Sequence, residues 1–212
     1  MRVIVVDDHK MMREGLRALL EKAEVDVVGE ASDGHQAVAE TKRLHPDVVV
    51  MDVAMPKLNG IDATRRITAE MPQVKVIGLS MNTDRRYVLA MLEAGAAGYM
   101  LKSGTSEELR AALDVVTSGQ KYLSPAIASS VVDEALGPKS RPCSDRPPSM
   151  REREVLQLIA EGKSSKEIAT ILKIAVPTVE THRRQLMNKV KLRTVAELTK
   201  YAIREGLTSA DK

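Results

Sequence analysis

The chain contains no tryptophan and no phenylalanine, and only four tyrosines. Its cores must therefore be built from Val, Leu, Ile, Ala and Met. The eleven methionines read as gap-filling core residues rather than as a partner-binding patch. A single cysteine, Cys143, excludes an intramolecular disulfide framework and points to a reducing cytoplasm. There is no run of about 18 or more uncharged apolar residues, so no membrane span is predicted. The chain enters a strand at Arg2 without the pattern of a signal peptide. Net charge is also small, +3 over 212 residues, but it is unevenly placed. Residues 1–123 carry −2 and residues 124–212 carry +5. The basic second part suggests a polyanionic partner.

What is present is organised around Val48-Val49-Val50-Met51-Asp52. A continuous apolar run bounded by turn residues, here Pro56, Asn59 and Gly60, reads as a strand buried on both faces. Asp52 then stands at the carboxyl end of that strand, the edge where open α/β sheets bind ligands. Other strand-like runs end in Asp7-Asp8, in Ser80 and in Lys102. If the strands are parallel, three carboxylates, a hydroxyl and an ammonium converge. Carboxylates in such number repel, so a divalent cation is expected among them. An all-oxygen set favours Mg²⁺, which commonly bridges carboxylate and phosphate. A lysine and a hydroxyl suit phosphoryl oxygens. The chemistry inferred is phosphoryl transfer to Asp52.

The set Asp7-Asp8, Met51-Asp52-Val53-Ala54-Met55-Pro56, Ser80, Tyr99 and Leu101-Lys102-Ser103 resembles the receiver domain of bacterial response regulators over roughly the first 120 residues. The resemblance implies that Asp52 accepts phosphate from a histidine kinase. It implies Mg²⁺ on Asp8, Asp52 and the Ala54 backbone carbonyl, with Asp7 acting through water. Ser80 and Tyr99 match the family's switch pair, and Lys102 its phosphate-pairing lysine. His9, directly after the acidic pair, has two readings, a pocket-lining residue and a surface residue, of which the second is preferred, and Asp33, Asp47 and Asp62 read as caps or solvated charges.

Five strand-like runs alternate with five helical patterns through about residue 118. That alternation predicts a doubly wound, five-stranded parallel sheet, the flavodoxin-like fold, over 1–120. Thr105-x-x-Glu108 is a capping box for the fifth helix. Ser124-Pro125 starts a possible short helix to Ala135. Four prolines in residues 137–148 break regular structure, so 121–147 is assigned as linker, with Cys143 a bystander thiol inside it.

From 148 to 212 the pattern is helical. Ser149-x-x-Glu152, Ser164-x-x-Glu167 and Thr194-x-x-Glu197 are capping boxes. A further helix, placed at about 177–190, turns Val179, Leu186 and Val190 to one side. Thr178, Thr181, Arg184, Gln185 and Asn188 lie on the other, with Glu180 at the margin. Most surface helices have a polar face, so this face alone does not specify DNA. However, Glu152-Arg153-Glu154-Val155-Leu156, Lys166-Glu167-Ile168-Ala169, Thr178-Val179-Glu180-Thr181-His182-Arg183 and Lys189-Val190 with Leu192 resemble the LuxR-type helix-turn-helix. With the receiver, the whole chain resembles a NarL/FixJ-type response regulator. The resemblance implies that this helix enters the major groove. Glu180, Thr181 and Arg184 would face bases, with Gln185 and Asn188 on the same surface, and Thr178 and Lys189 would contact phosphates. Two departures from the family pattern stand out. Ala175 replaces the usual N-cap serine, and Pro148 replaces a usual leucine.

The expected function is a non-enzymatic transcription regulator whose phosphorylation controls homodimerisation and promoter binding. Two rivals are a receiver that is never phosphorylated and serves only as an interaction module, and a Mg²⁺-dependent phosphohydrolase with Asp52 as nucleophile. Ala54, two residues after Asp52, offers the second rival no acid–base group.

Overall fold

The computed structural model describes residues 1–81, 85–128 and 148–208. The chain divides into two compact units, Met1–Gly137 and Pro138–Lys212. In the first, strands β1 (Arg2–Val6), β2 (Asp26–Ala31), β3 (Val48–Asp52), β4 (Lys75–Ser80), β5 (Gly98–Leu101) and β6 (Tyr122–Leu123) form one sheet in the order β2-β1-β3-β4-β5-β6. All pairings are parallel. The sequence predicts five strands and the sheet has six. The sixth is two residues long, too short to show a periodic pattern, and pairs with Gly98 and Tyr99 within the stretch assigned as linker.

Helices α1 (Lys10–Lys22), α2 (Gly34–Leu44), α3 (Gly60–Glu70), α4 (Arg85–Glu93) and α5 (Ser106–Thr117) cover both faces of the sheet. Successive strand side chains point to opposite faces, and two separate cores result. Ile4, Val6, Val49, Met51 and Val76 pack with Ala37, Ile61, Ile67, Val88 and Met91 of α2, α3 and α4. Val3, Val5, Val48, Val50, Ile77 and Leu79 pack with Leu16, Leu20, Leu109, Leu113 and Val116 of α1 and α5. Burial on both faces explains why the central strands read as unbroken apolar runs.

The strand order reverses at β1, which lies between β2 and β3. Such a switch point leaves a crevice beyond the strand ends. Register fixes what lines it. Val6 pairs with Met51, so Asp7 and Asp52 emerge side by side. Ser80 pairs with Leu101, and Lys102 follows directly.

The turn from β3 into α3 requires glycine. The Gly60 amide donates to the Val53 carbonyl at 2.9 Å. A Cβ on Gly60 would lie 2.0 Å from the Asp52 carbonyl oxygen.

The second unit contains α6 (Met150–Ala160), α7 (Ser165–Leu172), α8 (Val176–Val190) and α9 (Val195–Arg204). Val155, Leu156, Leu158, Ile168, Leu172, Val179, Leu186, Leu198 and Ala202 form its core, with Val190 packed at the edge. The capping boxes of α5, α6, α7 and α9 form with both reciprocal bonds. Helix α8 begins at Val176, one residue before the predicted start. Its N-cap, Ala175, makes no side-chain bond, and Pro177 falls in the first turn, where an amide proton has no intrahelical acceptor.

Residues 125–128 are helical. The remainder of the helix predicted to Ala135, the proline-rich linker and Cys143 lie outside the described residues.

Replacing Gly60 with alanine should destabilise the first unit by about 3 kcal/mol, because backbone has to move to relieve the clash. Urea denaturation followed by circular dichroism measures this. A Gly60→Ala protein as stable as the parent would mean that the β3–α3 turn yields without cost.

Candidate functional site

The sheet edge brings Asp7, Asp8, Asp52, Ser80 and Lys102 together as the strand ends predict. Lys102 joins two of the acids. Its Nζ is 2.6 Å from Asp7 Oδ2 and 2.9 Å from Asp52 Oδ2. All three side chains are buried, at 6% exposure or less. Asp52 Oδ1 accepts the Ala54 amide at 3.3 Å. Asp7 Oδ1 accepts the His9 amide at 2.8 Å, and the Asp7 carbonyl accepts from Arg13 Nη1 at 2.8 Å. These bonds hold the turn after β1 in place. Arg13 is itself tied to Glu30, which also accepts from Arg17 at 2.6 Å.

Burial dominates the electrostatics. Desolvation pushes the Asp52 carboxyl up to about 6; Lys102 opposes the rise and Asp7 adds to it. Burial alone would lower the Lys102 ammonium, but attraction to Asp52 and Asp7 outweighs it and raises its pKa. Asp52 is therefore ionised at neutral pH while remaining more basic than an ordinary carboxylate, which suits a nucleophile.

Ligand atoms of Asp7, Asp8, His9 and Asp52 lie within 4.8 Å of one another. Hard oxygens in that space fit a small divalent cation such as Mg²⁺. His9 is exposed, as its reading from sequence has it, yet its Nδ1 sits 3.0 Å from Asp8 Oδ1 and 3.4 Å from Asp7 Oδ1. Its position directly after the acidic pair is the signal that pointed there.

Ser80 is 5% exposed and Tyr99 is fully buried. Gly78, opposite Tyr99 in the ladder, makes the space that the ring occupies. A Cβ on Gly78 would come within 2.8 Å of Met91 Cε and 3.2 Å of Tyr99 Cδ2. This partner cannot be read from sequence, since only the register reveals it. Asp33 is a cap, as its sequence reading allows, and Asp62 is buried rather than solvated. Asp33 caps α2 and pairs with Lys57 at 2.7 Å; Asp62 binds Asn59 and Arg65.

In the second unit α7 and α8 form the helix-turn-helix, with Lys173 left-handed in the turn. Thr178, Glu180, Arg184, Gln185 and Asn188 are exposed on α8, and Thr181 and Lys189 are half-buried. Glu180, Arg183, Arg184, Asn188, Lys191 and Arg193 border a groove of about 630 Å³, four cations to one carboxylate. The two charged residues Lys189 and Glu180, both matched to DNA contacts, already have partners. Lys189 Nζ is 2.6 Å from Glu152 Oε2, and Glu180 accepts from the Ser165 hydroxyl. Desolvation raises the Glu152 carboxyl, but Lys189 and the Ser149 cap outweigh it and hold it below the usual range. The Thr181 hydroxyl donates to the Pro177 carbonyl at 2.9 Å, leaving its lone pairs outward. His182 is half-buried.

Two families match. The response regulator receiver domain matches residues 3–114, and the luxR family of bacterial regulatory proteins matches residues 149–202. The transcriptional regulatory protein MctR of Rhizobium johnstonii is 39% identical over 209 residues, 98% of this chain and 95% of that protein. The response regulator RcsB of Salmonella typhimurium, in a structure concerned with conformational dynamism for DNA interaction, superposes with a TM-score of 0.60 at 30% identity, over 95% of this chain and 97% of that one. A structure of two RcsB dimers bound to two parallel DNAs gives 0.59 at 28% identity, over 97% and 98%. No helix among the described residues is long and apolar enough to cross a membrane.

Because the folded-state pKa of Asp52 is raised, its ionisation opposes folding. The cost is absent below about pH 4, grows as pH rises through about 6 and is complete above that. In metal-free buffer Asp52→Asn should therefore stabilise the first unit by roughly 2–3 kcal/mol at neutral pH, and by little at pH 4. Thermal melts across that range measure the difference. Equal stability at pH 7.5 would contradict the buried-charge assignment.

Proposed function

The chain belongs to the response regulators that join a receiver domain to a LuxR-type helix-turn-helix domain, and on that premise we propose that it is a transcription regulator switched by phosphorylation of Asp52. The observation that carries this reading is the buried Asp7–Lys102–Asp52 bridge at the sheet's switch point. An ionised, poorly solvated carboxylate with a fixed ammonium beside it is suited to attack a phosphorus atom.

A histidine kinase is the phosphodonor. The Asp52 carboxylate forms a P–O bond as the P–N bond of phosphohistidine breaks, and the departing imidazole takes a proton. Lys102 is placed to pair with the phosphoryl oxygens as its bridge to Asp52 is given up. Asp8, Asp52 and the Ala54 carbonyl would hold Mg²⁺, with Asp7 through water, and the cation would offset charge on the transferring group. Ala54 has no acid–base side chain with which to activate water on the acyl phosphate, which weighs against the phosphohydrolase reading. The intact Asp8, Asp52, Ser80 and Lys102 weigh against a receiver that is never phosphorylated.

The new phosphoryl oxygens draw the Ser80 hydroxyl toward them. Tyr99, packed over Gly78 beside Met91, then moves into the space that Ser80 leaves. This changes the face built from α4, β5 and α5, the surface presented to a second copy of the chain. Two copies bring two α8 helices to half-sites about 10 base pairs apart. RcsB has been seen as dimers on DNA, which supports this reading. Arg184, Gln185, Asn188, Thr178 and Thr181 lie outward on α8 and are assigned to DNA. Glu180 and Lys189 reach it by exchanging their present partners. The domain boundaries that go with this reading are a receiver at 1–120, a linker at 121–147 and a DNA-binding domain at 148–212. A reducing cytoplasm is the compartment it requires.

Acetyl phosphate with Mg²⁺ should label the full chain once, and Asp52→Asn should abolish the label. Label that survives in Asp52→Asn would move the acceptor elsewhere. Arg184→Ala should weaken binding to a target promoter by about 1–3 kcal/mol, while binding to unrelated DNA falls little. Band shifts at fixed salt measure both, and unchanged specific binding would remove Arg184 from the interface.

A further inference from the structure

The acidic pocket, read as above to be the receiver's cation site, is bordered by the Lys102 ammonium, which has no lone pair to give a metal, and by the His9 imidazole, which has one. We propose that His9 is a direct ligand of a cation held there, so that the pocket binds a borderline transition ion such as Mn²⁺ through nitrogen as well as oxygen. The inference rests on the reading of this pocket as a metal site and adds a ligand to it.

Geometry carries it. In octahedral coordination at about 2.1–2.2 Å, adjacent ligand atoms stand about 3.0 Å apart and opposite ones about 4.3 Å. His9 Nδ1 is 3.0 Å from Asp8 Oδ1 and 3.4 Å from Asp7 Oδ1, the spacing of adjacent positions. One ligand atom from each of Asp7, Asp8, His9 and Asp52 lies within 4.8 Å of the others, so at most about half an ångström of closure brings any pair to opposite positions. The imidazole is not placed by chance. The His9 amide is fixed to Asp7 Oδ1 at 2.8 Å, and His9 occupies the N-cap position of α1, where its side chain makes no capping bond. Arg13 grips the Asp7 carbonyl and Glu30, holding the same turn from behind. The His9 side chain is 70% exposed, so the ring can close on an ion without leaving a packed position.

Mg²⁺ gains little from imidazole, whereas Mn²⁺ and later ions accept it. Removing His9 should therefore separate the two cations. On the full chain, Mn²⁺ bound at one equivalent should show ¹⁴N hyperfine coupling by electron spin-echo spectroscopy. His9→Gln should erase that coupling and raise the Mn²⁺ Kd about tenfold, while the Mg²⁺ Kd changes less than about threefold. Asp8→Asn should weaken both cations, which places the signal in this pocket rather than at another histidine. Mn²⁺ that binds without nitrogen coupling, or coupling that persists in His9→Gln, would overturn the assignment of His9 while leaving the cation site standing. Failure of the parent chain to bind either cation would overturn the site itself.

Discussion

The ammonium of Lys102, buried between Asp7 and Asp52, is the interaction on which the first unit depends. Parallel strands with matched register bring carboxylates out of β1 and β3 at the same level, and the core beneath cannot solvate them. One fixed cation does not cancel that cost, since Asp52 still titrates near 6. The pocket is consequently short of positive charge, which is what the proposed divalent ion would supply. The same low-dielectric surroundings that penalise the resting state make each new charge there felt strongly.

The second unit solves a different problem. Four short helices with no tryptophan or phenylalanine have little apolar area to bury, and their ends must be secured. Reciprocal boxes on α6, α7 and α9 do this locally. Glu152 does more, since it closes the cap of α6 and also binds Lys189 at the far end of α8. Helix α8 is thus tied near its C-terminal end by a buried carboxylate, while its N-terminal end has only Ala175 and Pro177.

Much of this was legible in the residues, for local reasons. Strands buried on both faces are continuous apolar runs, so β1, β3 and β4 and the residues that end them could be read directly. Capping boxes are written in four consecutive residues, and each one formed. What could not be read depends on contacts between distant positions. Strand β6 is too short to show alternation and exists because β5 offers it an edge. Gly78 matters only because it stands opposite Tyr99. Glu180 and Lys189 looked like DNA-facing groups, yet each has a partner inside the protein, Ser165 and Glu152, far away in sequence. The start of α8 moved by one residue because Ala175 sends no side-chain signal of where a helix begins.

The switch links a bond made at Asp52 to the grip of α8 on a double helix, and the direct measurement is promoter affinity with and without the acyl phosphate at matched ionic strength. Full chain treated with acetyl phosphate and Mg²⁺ should bind its promoter at least about fivefold more tightly than untreated chain, the lower end of ordinary coupling energies. The gain should disappear in Asp52→Asn. Equal affinity in the two states would contradict the switch and leave two modules that share a polypeptide without governing one another.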